Sequence, residues 1–344
     1  MTDVDDQLDQ GTEVTIQVHG DRRLWSELRQ PWQELQATVA EANVFVTWPW
    51  QHSWWDVLGG SDELYVLTFA DSAGRLVGLA PLCLHRVDGG SKVVQFIGGL
   101  EVTDHLGLLV QPGWWLAVGR ALIDLWMSQS PGELDLHFLP ENSMTLASLL
   151  AACERINLEA KVVPEEVSPR VQLPAGFDEY LARLDRKDRH ELRRKLRRLE
   201  SANPNFSSVG MDGLSSALEE FFRLHRASSR AKHDFLDEPM MAFFRRSARV
   251  LLEAGWLRLR LLEVDGHNVA SIMGFDYRDK VYLYNSGYDP TVGHLSAGLM
   301  LIVHDLADAI AQGRREYDFL RGSEEYKYDL GGKDVPLYRF SVRV

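Results

Sequence analysis

Apolar and polar residues alternate in short runs along most of the chain, and the runs are separated by glycine-bearing turns and by stretches at helical spacing. Trp25, Leu28, Trp32, Leu35 and Val39 predict a helix, with Pro31 starting or kinking a turn. Residues 64–69 and 76–82, joined by a turn at 71–74, predict a hairpin. A strand at 93–97 ends at Gly98-Gly99, and a further apolar run covers 106–110. Next come a helix at 115–127, a strand at 134–139 and a helix at 145–155. Residues 163–169, with two prolines, read as a loop, 171–173 as a strand and Pro174-Ala175-Gly176 as a break. Beyond a basic helical segment, amphipathic helices are predicted at 214–227 and 239–254, the second closed by Gly255. A second hairpin pairs 256–264 with 269–277. The run 281–284 then leads through a polar turn carrying Gly287 and Gly293 to a helix from Ser296, and on to the run 317–320. Residues 335–344 close the chain as a strand.

Hairpin, strand, helix, strand therefore occurs twice in the same order. Residues 64–82 answer to 257–275, 92–97 to 280–284, and 133–139 to 316–320. This favours a duplicated α+β architecture of two domains, 14–170 and 171–344, after a disordered acidic segment at 1–13. The two copies differ before the helix. In the second, Ser296 can cap and small Ala297 and Gly298 follow, a helix start whose free amides suit pyrophosphate or only begin a core helix. In the first, Gln111-Pro112-Gly113-Trp114-Trp115 stands there, and two tryptophans would crowd a phosphate away. One cofactor site, in the second half, is the expectation.

A length of 344 residues accommodates two domains, and 45% hydrophobic with 25% charged residues is an ordinary globular composition. The formal charge of −13 argues against general nucleic-acid binding and against DNA as a partner. Cys83 and Cys153 offer neither a disulfide framework nor a zinc pattern, which suggests a reducing cytosol, and the scattered histidines predict no metal site. No apolar run approaches the ~20 residues of a membrane span. Against this background residues 186–198 are strongly basic, with a thin stripe of Leu192, Leu196 and Leu199. A solvated face, an anionic cofactor, an anionic membrane surface and RNA are the competing readings. Aromatic-dense 45–55 reads as core packing before ligand stacking, with His52 a bystander. Asp104 and His105, wedged between apolar runs, are either a turn or a substrate-gripping pair facing a cleft.

The stretches FDEYLARLDRKDRHELRRKLRRLE, GYDPTVGHLSAGLMLI and YDFLRGSEEYKYDLGG, with PLCL and TDHLGLLV earlier, resemble the GNAT acyltransferases, and most closely their tandem branch of CelD-type and FemAB proteins. The resemblance implies two tandem GNAT-like domains, each a mixed, mostly antiparallel sheet flanked by helices, the N-terminal one degenerate. It implies an acyl-CoA co-substrate, acetyl-CoA foremost, and an amine acceptor such as an amino sugar or a cell-envelope precursor. Two strands, 281–286 and 317–320, would splay to admit pantetheine past Ser286, Gly287 and Tyr288. Pyrophosphate would sit at Gly293, His294, Leu295, Ser296, Ala297 and Gly298, with Arg321 as a further anion contact. The GHLSAG turn departs from the family's Arg/Gln-and-glycine pattern, and FemAB relatives with altered turns use aminoacyl-tRNA, for which the basic helix would serve. Past the second strand, Glu324 is the expected base or amine-orienting group, Tyr326 the acid, and Lys327 a ligand contact; an ion pair and plain packing are the alternatives.

Overall fold

A computed structural model describes residues 13–87, 91–129 and 132–343; the disordered segment expected over 1–13 lies, apart from Glu13, outside them. The first half holds strands β1 (Thr15–His19), β2 (Glu63–Leu64), β3 (Val66–Ala70), β4 (Leu76–Ala80), β5 (Leu82–Arg86), β6 (Lys92–Phe96), β7 (Leu109–Val110), β8 (Glu133–Pro140) and β9 (Lys161–Gln172). Its helices are α1 (Leu24–Glu27), α2 (Arg29–Thr38), α3 (Trp48–Leu58), α4 (Gly99–Val102), α5 (Trp115–Gln129) and α6 (Met144–Arg155). The second half holds strands β10 (Asn205–Ser208), β11 (Leu257–Val264), β12 (His267–Tyr277), β13 (Lys280–Tyr288), β14 (Glu316–Asp318) and β15 (Lys333–Val342). Its helices are α7 (Phe177–Arg183), α8 (Arg186–Glu200), α9 (Leu214–Ser228), α10 (Arg230–Phe235), α11 (Glu238–Glu253), α12 (Ala297–Ala311) and α13 (Glu325–Asp329). The chain folds as two compact units, Met1–Glu166 with Pro336–Val344, and Val167–Val335.

In the first unit β1, β3, β4 and β7 form an antiparallel sheet, while β2, β5, β6 and β8 lie in order in a second. The closing strand pairs antiparallel with β8, from Leu337 opposite Pro140 to Val342 opposite Leu134. It brings Phe340 and Val342 into the core with Trp115, Leu122 and Leu149. β6 and β8 run parallel for only two pairs, Val93 with Glu133 and Val94 with Leu134. The aromatic-dense segment is core: Trp48, Trp50, Trp54 and Trp55 are all buried, and several indoles there and on the neighbouring helix find acceptors. Trp32 donates to the Val46 carbonyl at 3.0 Å, Trp48 to that of Trp25 at 3.0 Å, and Trp50 to Thr103 Oγ1 at 3.1 Å.

On β8, His137 stands between Asp135 at 3.3 Å and Glu165 at 2.5 Å, and Arg339 grips Asp135 with two 2.6 Å hydrogen bonds. Burial alone would lower the imidazole, but hydrogen bonds to Asp135 and Glu165 and their charges outweigh it and raise His137 to about 9 from 6.5. Burial likewise opposes ionisation of Asp135, and His137 with Arg339 wins, holding it at about 2 against 3.8. A raised histidine stabilises fully below its unfolded pKa and loses that contribution as pH climbs through the folded one. The first unit should therefore be most stable between about pH 4 and 6.5 and lose up to about 3 kcal/mol by pH 9. Nine of the ten tryptophans precede residue 127, so urea titrations followed by tryptophan fluorescence across that range read this unit, and His137→Gln should flatten the alkaline loss.

In the second unit the strand order is β10-β11-β12-β13-β14-β9, antiparallel except between β13 and β14. Residues 163–169, expected to loop, instead extend as part of β9. Proline is accommodated where a ladder asks only for its carbonyl, and that of Pro169 accepts from Phe319 N at 2.9 Å. On one face Ile272, Val281 and Leu283 pack with Met300, Leu301 and Leu306 of α12, together with Leu192 and Leu199 of the basic helix. On the other, Tyr284 meets Phe244 of α11 and Phe275 at ring distances of 5.8 and 5.1 Å. Two arginines on β11 are buried beneath α12. Arg258 reaches Asp305 at 2.8 Å, Asp308 at 3.0 Å and Asp276 at 3.1 Å; Arg260 pairs with Asp305 at 2.6 Å and also with Asp308. Tyr317 donates to the other Asp305 oxygen at 2.8 Å.

Candidate active site

β13 and β14 share three residue pairs, Lys280 with Glu316, Val281 with Tyr317 and Tyr282 with Asp318, and then separate. A register shift at Met273/Gly274 sets Asn285 opposite Met273 and Leu283 opposite Gly274, so Tyr284 is the extra residue of a bulge that bends β13 away. Only glycine fits at 274, since a Cβ there would lie 2.5 Å from the Tyr282 carbonyl oxygen. β14 stops where Asp318 takes over the backbone: its carboxylate accepts from Leu320 N at 2.9 Å and Ser168 Oγ at 2.7 Å and pairs with Arg170 at 2.8 Å. β13 continues instead to Tyr288, so the turn expected around Gly287 is strand.

Beyond β13 the side chain of Asp289 caps a 3-10 turn, Pro290–Leu295. Ser296 then adopts a left-handed backbone (φ 53°, ψ 40°) and, contrary to its expected capping role, makes no side-chain cap bond. The first amides of α12 are thus left without a side-chain acceptor at the positive end of the helix dipole. Space around Gly293 is open, Leu295 and Ala297 are buried anchors, and a Cβ on Gly298 would meet the half-exposed Tyr288 ring at 3.3 Å. The carbonyl of His294 accepts from Arg198 Nη1 of α8 at 2.7 Å, so the basic helix docks at this turn. Uncapped amides beside a guanidinium fit a phosphate-bearing group.

Sequence reading missed what lies along the free edge of β13. Pairing with β12 is taken by Asn285 and Gly287, so the polar backbone groups of Ser286 and Tyr288 face the side β14 has vacated. They are not bare. His225 Nδ1 stands 3.1 Å from the Ser286 carbonyl, Lys232 Nζ donates to that oxygen at 2.6 Å, and Tyr288 N donates to Ser228 Oγ at 3.0 Å. α9 comes this close because position 287 is glycine; a Cβ would sit 2.3 Å from His225 N. Burial, then the charge of Lys232, drive His225 down to about 4 against the pull of the Ser286 carbonyl. The neutral ring donates through Nδ1, leaving Nε2 buried with no hydrogen-bond partner. Burial also lowers Lys232, opposed by the Glu324 carboxylate. α10 was unforeseen because it is a single polar turn, though Ser229, which caps it by accepting from Lys232 N at 3.2 Å, is a legible start signal.

Past β14 the expectation for Lys327 changes. It is buried, and its ammonium donates to the carbonyls of Leu320 (3.0 Å), Arg321 (2.6 Å) and Gly322 (3.1 Å), which makes it the clamp of this loop rather than an open ligand contact. Glu324 is exposed and pairs with Lys327 at 2.9 Å. Gly322 (φ 107°) leaves room for it, as a Cβ would lie 2.5 Å from Glu324 Oε2. Tyr326 packs edge-on against Phe319, and burial followed by the Glu324 charge raises its hydroxyl pKa, so it stays protonated. Arg321 is half-buried on the same loop. Asp104 and His105 belong to the first unit and are buried there, His105 edge-on to Phe45 at 6.0 Å. Of the predicted residues the second unit thus holds the Ser286–Tyr288 segment, the turn before α12 and the Arg321–Lys327 loop.

The acetyltransferase (GNAT) domain family matches residues 186–328, from the basic helix through the clamped loop. This part of the chain, less than half of it, is similar to the domain of that family. Among curated proteins none matches the sequence. Among solved structures the whole chain is similar to FemX, with 12% identity and a TM-score of 0.67 over 92% of this chain and 96% of that one. It is also similar to a conserved protein of unknown function from Bacteroides thetaiotaomicron (13% identity, TM-score 0.61, 96% and 100% covered). A third similarity is to L-PGS from Bacillus licheniformis (13%, 0.55, 90% and 91%). At such identities the likeness concerns the fold alone. Among the described residues no helix is long and apolar enough to cross a membrane.

Proposed function

We propose that this protein is an N-acyltransferase whose GNAT domain carries the reaction, with an acyl-CoA as donor. The observation that carries this reading is the separation of β13 from β14 next to the uncapped start of α12. A thioester tail entering between the strands would leave its phosphates at the helix amides and Arg198. In the step itself an amine nitrogen attacks the acyl carbonyl, an N–C bond forms, the C–S bond breaks, and protons pass from the ammonium to a base and from an acid to the thiolate. Glu324 is the exposed carboxylate at the loop and serves as base or amine-orienting group; Tyr326, held protonated, serves as acid. The acceptor class, an amino sugar or envelope precursor, is carried over from the family resemblance.

A second donor, aminoacyl-tRNA, is favoured by a separate observation. Arg186, Lys187, Arg189 and Arg193 of the basic helix α8, with His190 and Glu191, line an open groove, and the helix is tethered to the same turn through Arg198. With that donor a C–O ester bond breaks in place of C–S. Calorimetric titration with acetyl-CoA, longer acyl-CoAs and an aminoacyl-tRNA decides between them. If acyl-CoA binds, Ser296→Asp should weaken it about tenfold by placing a negative charge at the helix end; unchanged affinity would remove the phosphates from this turn.

A further inference from the structure

The slot between β13 and β14 is closed along one edge by the protein's own side chains. A pantetheine arm is a chain with two secondary amides, and an open strand edge is the natural partner for such a chain. On β13 the groups available to it are the carbonyl of Ser286 and the N–H of Tyr288, because those of Asn285 and Gly287 face β12. Both are taken by α9 and α10. Ser228 Oγ accepts from Tyr288 N at 3.0 Å, while Lys232 Nζ, at 2.6 Å, and His225 Nδ1, at 3.1 Å, occupy the two lone pairs of the Ser286 oxygen. Lys232 also lies 3.4 Å from Ser286 Oγ, and its charge is felt by His225 on one side and answers to Glu324 on the other.

We infer that Lys232 sets how the donor is held: by occupying the Ser286 carbonyl it denies a pantetheine arm its pairing edge, so that a CoA thioester is bound through its phosphates and gains little from the arm. This rests on the reading of the parted strands as the donor slot. The pantetheine arm contributes little affinity to the native protein, whatever the helix corner contributes to the phosphates. Lys232 is the member of the trio that can be removed most cleanly, since its neighbours on α10 are exposed and alanine preserves the helical turn.

The test compares acetyl-CoA with adenosine 3′,5′-bisphosphate, which lacks the arm, by calorimetry on the full chain and on Lys232→Ala and Lys232→Arg. The native protein and the arginine variant should bind acetyl-CoA no more than about threefold more tightly than the bisphosphate. Lys232→Ala should bind acetyl-CoA at least about tenfold more tightly than the native protein, with its affinity for the bisphosphate unchanged. A native protein that already gains tenfold or more from the arm overturns the inference, as does an alanine variant that gains nothing. The bisphosphate reports separately on the turn before α12, so failure of the phosphate site is told apart from failure of the Lys232 assignment.

Discussion

Asp305→Ala should lower the stability of the second unit by about 3–5 kcal/mol. Asp305 is almost completely buried, and it is the counter-charge that Arg258 and Arg260 share, at 2.8 and 2.6 Å. Its other oxygen accepts the buried Tyr317 hydroxyl at 2.8 Å. Alanine leaves two guanidinium groups inside the protein with Asp308 and Asp276 as their remaining anions, and orphans the phenol of Tyr317. Removing one partner of a buried pair costs far more than the pair contributes, because the charge left behind cannot recover its hydration. Asn at the same position keeps one acceptor for Tyr317 and should lose less. Calorimetric melting of the full chain measures both; a change under about 1 kcal/mol for alanine would mean that water reaches these arginines. The site should suffer indirectly, because Tyr317 lies on β14, one of the two strands that part.

Glu324→Gln should reduce turnover about 10²–10³-fold with little change in stability. The side chain is more than half exposed, at 57%, so its 2.9 Å pair with Lys327 contributes little to folding, and Lys327 remains held by three carbonyls. Glutamine fills the same volume beside Gly322 and cannot take a proton. The neighbouring exposed Glu325, changed to Gln, is the control and should leave the rate unaltered. Acyl transfer to an amine panel with whichever donor binds provides the assay. Equal rates for the two variants would remove Glu324 from the chemistry and leave it as a partner of Lys327.

What could be read from the sequence was what local patterns determine. The repeated order of hairpin, strand, helix and strand was legible because alternation, turn glycines and helical spacing each report on their own neighbourhood. The separation of β13 and β14 was expected from family resemblance, while its physical cause, the bulge at Tyr284 opposite Gly274, depends on a partner strand and has no local signature. The partners of Lys232, Lys327 and Arg198 are main-chain carbonyls, which every residue possesses, so no spacing of side chains could have revealed them. Lys327 read as an open cation because burial of a lysine is rare. The prolines at 164 and 169 read as a loop because a strand's dependence on N–H or carbonyl at each position becomes visible only once its neighbour is known.

The closing strand has a consequence for biosynthesis. Residues Pro336–Val344 complete the first unit, and Phe340 and Val342 fill its core. An N-terminal unit would ordinarily mature while later residues are still emerging from the ribosome. Here its sheet stays one strand short until translation has passed residue 342, so a stalled or prematurely terminated chain exposes the flank of β8 and invites capture by chaperones, even though the missing strand is encoded downstream of the entire second unit.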